Sequence, residues 1–442
     1  MYRAETPTPA ATGCSIGLLL LTFLPGTGAA GEAADPGNAL FSGRIDFSLH
    51  YRFEHVEDDL RPEPANAATL RTLLGYTTGT FHGFALRAQL IDVREAGADD
   101  FDDGTGRGGP RTRYAVVPDP SDTDLLEGYV SYTGITGITL KAGRQVLTHR
   151  ESPYHRFLGN VVWRQNWQTQ DAVSIVITSL PHTTLQYGYS WNVDRIFTDE
   201  AVAPLANWES DSHLFNVAYR GFSWGALEAY AYLLDFDNAS ANSTQTYGLR
   251  FSGSRPLAEK WKATYALEYA HEWDWAENPG EIDADYVLAE AGVVFSPGGP
   301  VESVGLRFSY ELLGGDGGTD RFITPLATGH PFQGWADRFL DTPQDGIEDY
   351  CLTLTAAVLG AKLQVEYHDF NANHLGYGYG TEIGMMLSRT FLEHYTLGIK
   401  FTDYDADRSA TNLVRNGPAS ASPRAAVVSD VSKFWVWGQV KF

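Results

Sequence analysis

Beyond its first thirty residues this chain has no apolar run approaching the roughly 20 residues that a spanning helix needs, which excludes a helical membrane protein. Cysteine is almost absent. The 442 residues hold two, Cys14 and Cys351, and only Cys351 follows the apolar N-terminal stretch, so an internal disulfide framework and a cysteine-based metal site are excluded. Base is scarce as well, 32 Lys and Arg against 55 Asp and Glu, a formal charge of −23 that argues against nucleic acid as a partner. Lysine is the rarer base, 7 against 25 arginines. Nothing reads as a linker between domains.

Aromatic residues and glycine are abundant: 23 Tyr, 23 Phe, 11 Trp and 45 Gly. Together with the missing apolar runs, this composition suits a transmembrane β-barrel or a large secreted β-protein. The N-terminus carries Arg3, an apolar core from Ile16 to Leu24, a Pro-Gly break, then Gly28, Ala29 and Ala30. That pattern predicts a secretory signal over 1–30, followed by a short periplasmic segment over 31–39 and one barrel domain over 40–442.

The barrel reading rests on parity. In "FSGRIDFSLHYRFEH" Ile45, Phe47, Leu49, Tyr51 and Phe53 alternate with Arg44, Asp46, Ser48, His50, Arg52 and Glu54. A period of two is an extended strand with one oily and one wet face. The same test finds about eighteen strands. Their connections alternate between short turns such as "TGITG" and "SPGGP" and long segments such as 95–121, 148–170 and 314–346. Short turns on one rim and long loops on the other are the signature of an all-β, up-and-down antiparallel outer-membrane barrel with periplasmic turns. The terminal "SKFWVWGQVKF" ends on Phe442, like the closing strand that bacterial barrel assembly machinery engages. The expected location is therefore the outer membrane of a Gram-negative bacterium, with lipid and lipopolysaccharide as surroundings.

On the wet parity stand Arg44, Arg52, Arg71, Arg87, Lys141, Arg220, Arg250, Lys262, Arg307, Lys362, Lys400, Lys433 and Lys441. Facing them on the same parity are Asp46, Glu54, Glu127, Glu268, Glu272, Glu290, Glu311, Glu366 and Glu382. The lining is mixed, with a basic tilt. Two readings follow: a ladder of guanidiniums that guides an anionic solute, or arginines each paired with a neighbouring carboxylate. Catalytic look-alikes fail on context: "GTGRGG" at Gly104–Gly109 precedes Pro110 and no helical pattern, and "HRES" at His149–Ser152 lacks any activating arrangement. No catalytic residue, metal or cofactor is expected, and the chain is not read as an enzyme.

Two segments go further. "GRQ", "RFLGNVVWRQNWQTQDAV" and "NVDRIF" within Leu140–Phe197, and "TPLAT", "GWADRFL" and "GIED" within Phe322–Tyr350, resemble the alginate-export family of outer-membrane channels. The resemblance implies a passive, electropositive channel exporting a uronate-containing polysaccharide, with a periplasmic export scaffold as partner; the alternative is an uptake porin for small anionic or aromatic solutes. By motif it marks Arg144, Arg156 and Arg164 as constriction candidates, joined by Arg338. Asp171, Trp335 and Asp337 are marked as loop-holding positions.

Overall fold

The computed structural model describes residues 35–151, 155–417 and 424–442; the expected signal segment lies outside them. Eighteen antiparallel strands follow in chain order. They are β1 Arg44–Asp58, β2 Ala65–Thr77, β3 Phe84–Asp100, β4 Asp122–Tyr132, β5 Ile138–Gln145 and β6 Thr169–Ile177. Next come β7 Thr183–Asp194, β8 Asn207–Phe222, β9 Gly225–Leu234, β10 Thr244–Ala258, β11 Trp261–Asp274 and β12 Asp283–Phe295. The series ends with β13 Val301–Leu313, β14 Ile347–Val358, β15 Ala361–Asn371, β16 Gly378–Phe391, β17 Tyr395–Ala406 and β18 Val431–Lys441. Two short helices, α1 Pro36–Phe41 and α2 Ala410–Asn416, lie outside the wall. β3 runs to Asp100, past the end expected from parity, because Asn66 and Ala67 of β2 still pair with Asp100 and Asp99.

Each strand pairs with its sequence neighbours, and β1 pairs with β18 from Ser48↔Lys441 to Asp58↔Val431. Phe442 adds the last rung, exchanging backbone hydrogen bonds with Phe47 at 2.9 and 3.1 Å. The ring is closed, so no strand edge is left unpaired.

Parity decides which side each residue takes, and burial shows it inverted relative to a soluble protein. Arg52 and Arg71 are each 1% exposed, whereas Leu267 and Leu397 are 61% and 60% exposed. In β18 Trp435 and Trp437 are buried inward while Phe434 and Val436 face out. The outward leucines, valines and aromatics form an apolar belt that water would not tolerate; lipid supplies the missing environment, at roughly 1.5–3 kcal/mol for each large side chain covered.

Candidate functional site

What fills the bore is loop. Residues 146–151 and 155–168, which follow β5, lie inward, and their arginines determine where they go, because a buried guanidinium needs a carboxylate. Arg150 donates to Glu228 of β9 at 2.5 Å and to Glu268 of β11 at 2.7 Å. Arg156 donates to Glu311 of β13 at 2.9 Å. Arg164 reaches Glu54 of β1 at 3.2 Å. On an eighteen-stranded ring β1 and β10 are diametrically opposed, so a segment tied to β1, β9 and β11 crosses the bore.

Residues 314–346 cross it too. The Ile323 amide donates to Glu272 of β11 at 2.7 Å, and Trp335 N–H donates to Glu382 of β16 at 2.5 Å. Lys433 of β18 donates to Asp337 at 2.8 Å, and Arg338 forks onto Asp58 of β1 at 2.8 and 3.1 Å. Burial alone would raise the Asp337 carboxyl, but His330, Lys433 and Arg164 around it hold it well below the usual carboxylate range. The two loops also bind each other. Gly159 N–H donates to Leu326 O at 2.8 Å, Val161 N–H to the Thr328 hydroxyl at 3.0 Å, and Arg156 to Gln333 at 2.8 Å. A third loop contributes the wholly buried Asp119, which accepts from Arg52 and from Gln165 N–H at 2.8 Å. Together they form a septum.

Two glycines permit the close fit. Gly334 has φ +80°, and a Cβ there would lie 2.2 Å from a Glu382 carboxylate oxygen. Gly384 lets the Trp335 indole lie on β16, where a Cβ would be 2.7 Å from the ring.

Most of the arginines expected on the wet face are inside, and most are paired. Arg87 bonds Glu127 at 2.6 Å and Asp46 at 2.8 Å; Arg250 bonds Glu268 at 2.6 Å; Arg307 reaches Glu290 at 3.2 Å. Arg52 donates to the Trp163 carbonyl beside its bond to Asp119. Arg71 donates to the Arg164 carbonyl at 3.3 Å and lies 4.7 Å over the Trp167 ring. These arginines hold loops and wall together; a continuous guanidinium ladder facing water is not what they form.

Arg144 departs further from expectation. It shares parity with exposed Ala142, and its directly paired Asp171 shares parity with exposed Val173. Both therefore face outward, at the extracellular end, where Arg144 also binds Asp124 at 3.2 Å and Asp194. Gly143, at φ +124°, and the irregular pairing of β6 with β7 mark the place.

The cations left over are different ones. Arg44, Lys141, Arg220, Lys262 and Lys362 have the inward parity and stand within four residues of a periplasmic turn or strand start. Among the described residues no carboxylate lies within ion-pair distance of any of them, and the Lys141 ammonium instead sits 4.6 Å from the Tyr129 ring. They give the periplasmic half of the bore a positive wall.

His330 carried no signal in the sequence, because loop residues have no period to read. Lys400 and Lys433 stood on the wet parity, but nothing local tied them to Asp337 or to a tryptophan cage. Cys351 is free and buried, with Sγ 3.5 Å from His368 Nε2, inside a cross-strand network that Asp349 completes at 2.9 Å. Among the described residues no cluster of three or more metal-binding side chains occurs.

A closed eighteen-stranded barrel with an apolar outer belt, a charged bore and inward-folded loops has the architecture of a porin-type barrel of the Gram-negative outer membrane. Its fold is that of the Occ and Opd channels. Acinetobacter baumannii OccAB2 aligns at TM-score 0.67 and 15% identity, over 92% of this chain and 100% of that one. Pseudomonas aeruginosa OccK9 (OpdG) aligns at 0.66 and 11%, over 92% and 100%, and OpdK from the same organism, crystallised with vanillate, at 0.65 and 14%, over 90% and 98%. No family model and no curated protein matches the chain. These neighbours overturn the alginate-export resemblance and, with it, polysaccharide export. The physical reason lies in the motifs that carried it: Arg156, Arg164, Trp335, Asp337 and Arg338 all bind loop or wall, so they record how a septum is built and say nothing of a polymer.

Proposed function

We propose that this protein is a passive uptake channel for small anionic solutes, with aromatic carboxylates the favoured class. One observation carries the reading: five inward-facing bases without carboxylate partners among the described residues line the periplasmic half, beneath a septum tied to opposite walls. The septum favours small solutes over a polymer, and the bases favour anions. A solvated carboxylate 4 Å from an ammonium gains about 1 kcal/mol, enough to raise its local concentration about fivefold without trapping it. Several such weak sites in series permit entry and release. Lysine suits this role because its ammonium is a mobile point charge, unlike the planar fork that fixes the paired arginines. The vanillate in the OpdK crystal, a small aromatic carboxylate, supports the same solute class. Partners on this reading are the lipid and lipopolysaccharide around the belt and the barrel assembly machinery at β18.

The test is a reversal potential in planar bilayers under a tenfold salt gradient. Wild type is expected to prefer anions, and Lys262→Glu combined with Lys362→Glu to move the preference toward cations. Cation preference in the wild type would defeat the proposal. Competitive block by aromatic monocarboxylates, stronger than by uronate oligomers, is the accompanying expectation.

A further inference from the structure

The septum is fastened to the wall at one point whose chemistry depends on a single proton. His330, on the 314–346 loop, places Nδ1 2.7 Å from Asp337 and Nε2 2.6 Å from the Lys400 ammonium of β17. Its ring stacks on Trp163 of the other loop, 4.8 Å between centroids and 6° from parallel, and meets the edge of Trp435 of β18 at 5.9 Å. The Lys400 nitrogen also lies 3.9, 4.2 and 5.3 Å from the ring centroids of Trp335, Trp163 and Trp435. Three indole faces around one nitrogen are a site for a cation. One imidazole thus joins both loops to β17 and β18.

The hydrogen bonds fix its protonation. Asp337 is ionised beside Lys433 and Arg164, so Nδ1 must donate to it. The 2.6 Å contact between Nε2 and the Lys400 nitrogen holds a single proton, so one of the two nitrogens must accept. A second proton would set two donors and two positive charges face to face at 2.6 Å. The charged groups around the ring are Asp337 on its own loop, Arg164 on the neighbouring loop, Lys400 on β17 and Lys433 on β18; Glu382 of β16 and Glu54 of β1 stand behind them. Two further histidines beside this loop, His149, tilted against Tyr232 and next to Arg150, and His155, have no hydrogen-bond partner for either ring nitrogen among the described residues.

We propose that the 314–346 loop, with residues 155–168 stacked on it, forms an acid-released gate, latched at neutral pH by the neutral imidazole of His330 and freed when proton uptake sets a cation against Lys400. This rests on the channel reading and adds its regulation. Burial pushes His330 and His149 down to about 3 and His155 to about 4 in the latched state. Released into water, each returns toward about 6.5. Histidines depressed in the latched state stabilise it fully above about pH 6.5, and that contribution is lost as the pH falls toward 3 to 4. At pH 4.5 the released-to-latched ratio should rise about 100-fold for each histidine that a release exposes, two pH units at tenfold each.

The experiment compares purified wild type with His330→Gln and with His149→Phe/His155→Phe in planar bilayers from pH 7.5 to 4.5, alongside tryptophan fluorescence in detergent. Glutamine can still donate to Asp337 and accept from Lys400, but it does not titrate. Wild type should show a steep rise in open time and a change in tryptophan emission on acidification, and both should be blunted in His330→Gln. A pH-independent wild type, or an unchanged response in both variants, overturns the gate. Bilayers silent at every pH overturn the channel reading instead, and the fluorescence transition, present or absent, then decides the latch.

Discussion

Replacing Arg156 by methionine should unfasten the septum without unfolding the barrel. The guanidinium is 4% exposed and holds three partners at once: Glu311 of β13 at 2.9 Å, and Gln333 and Thr324 of the other loop at 2.8 and 3.3 Å. Methionine keeps much of the aliphatic volume but leaves the Glu311 carboxylate buried with only Tyr286, at 2.7 Å, and Gln333 as donors. Breaking a buried pair by removing one member costs about 3–5 kcal/mol. At 1.4 kcal/mol per decade, that raises the population of the detached loops by two to three and a half orders of magnitude. The wall keeps its backbone ladder, so the loss is local. Limited chymotrypsin digestion of folded protein in detergent should cut near Phe157 and Trp163 in the variant and spare the wild type, with heat-modifiable gel migration unchanged. Adding Glu311→Gln should restore much of the protection, since the unpaired charge is then gone. Equal resistance of Arg156→Met and wild type would refute the claim that charge pairing holds the septum.

Four further outcomes follow from the same geometry. Leu267→Arg, on the lipid face near mid-strand, should cost about 2–4 kcal/mol on insertion into bilayers; folding yield in vesicles measures it. Gly334→Ala combines a left-handed backbone with a Cβ 2.2 Å from Glu382, about 1–3 kcal/mol of strain, and should detach the 332–338 turn, read as proteolysis there with the barrel intact. Arg144→Ala should leave ion selectivity in bilayers at the wild-type value, because that side chain stands outside the bore. Removal of Phe442, whose backbone closes β18 onto β1, should lower the yield of folded barrel in refolding assays.

The strand number, the rim that carries the long loops and the inward or outward choice of most side chains were legible in the chain, because each depends on neighbours two residues apart or on connection length. Phe47 and Leu49 facing lipid and Arg52 facing inward needed no partner to be named. Ion pairs are another matter. Arg52 meets Asp119, Arg164 meets Glu54 and Arg338 meets Asp58 across 67, 110 and 280 residues. No local pattern encodes which carboxylate an arginine will find, so a ladder of free guanidiniums and a set of satisfied pairs look alike in sequence.

Arg144 shows the same limit within a strand. Short β5, distorted at Gly143, sets it on the outer face with Asp171, Asp124 and Asp194, while the motif it stands in had suggested a constriction. The motifs that resembled alginate-export channels offered both cargo contacts (Arg156, Arg164 and Arg338) and loop-holding positions (Trp335 and Asp337); in the folded protein all five are fastenings of the loops. Alternation, a one-dimensional property, determined the cylinder. What crosses its bore, which bases stay free and where His330 meets Lys400 were decided only when distant segments were brought together, since burial makes a charge choose its partner by proximity in space and not by order in the chain.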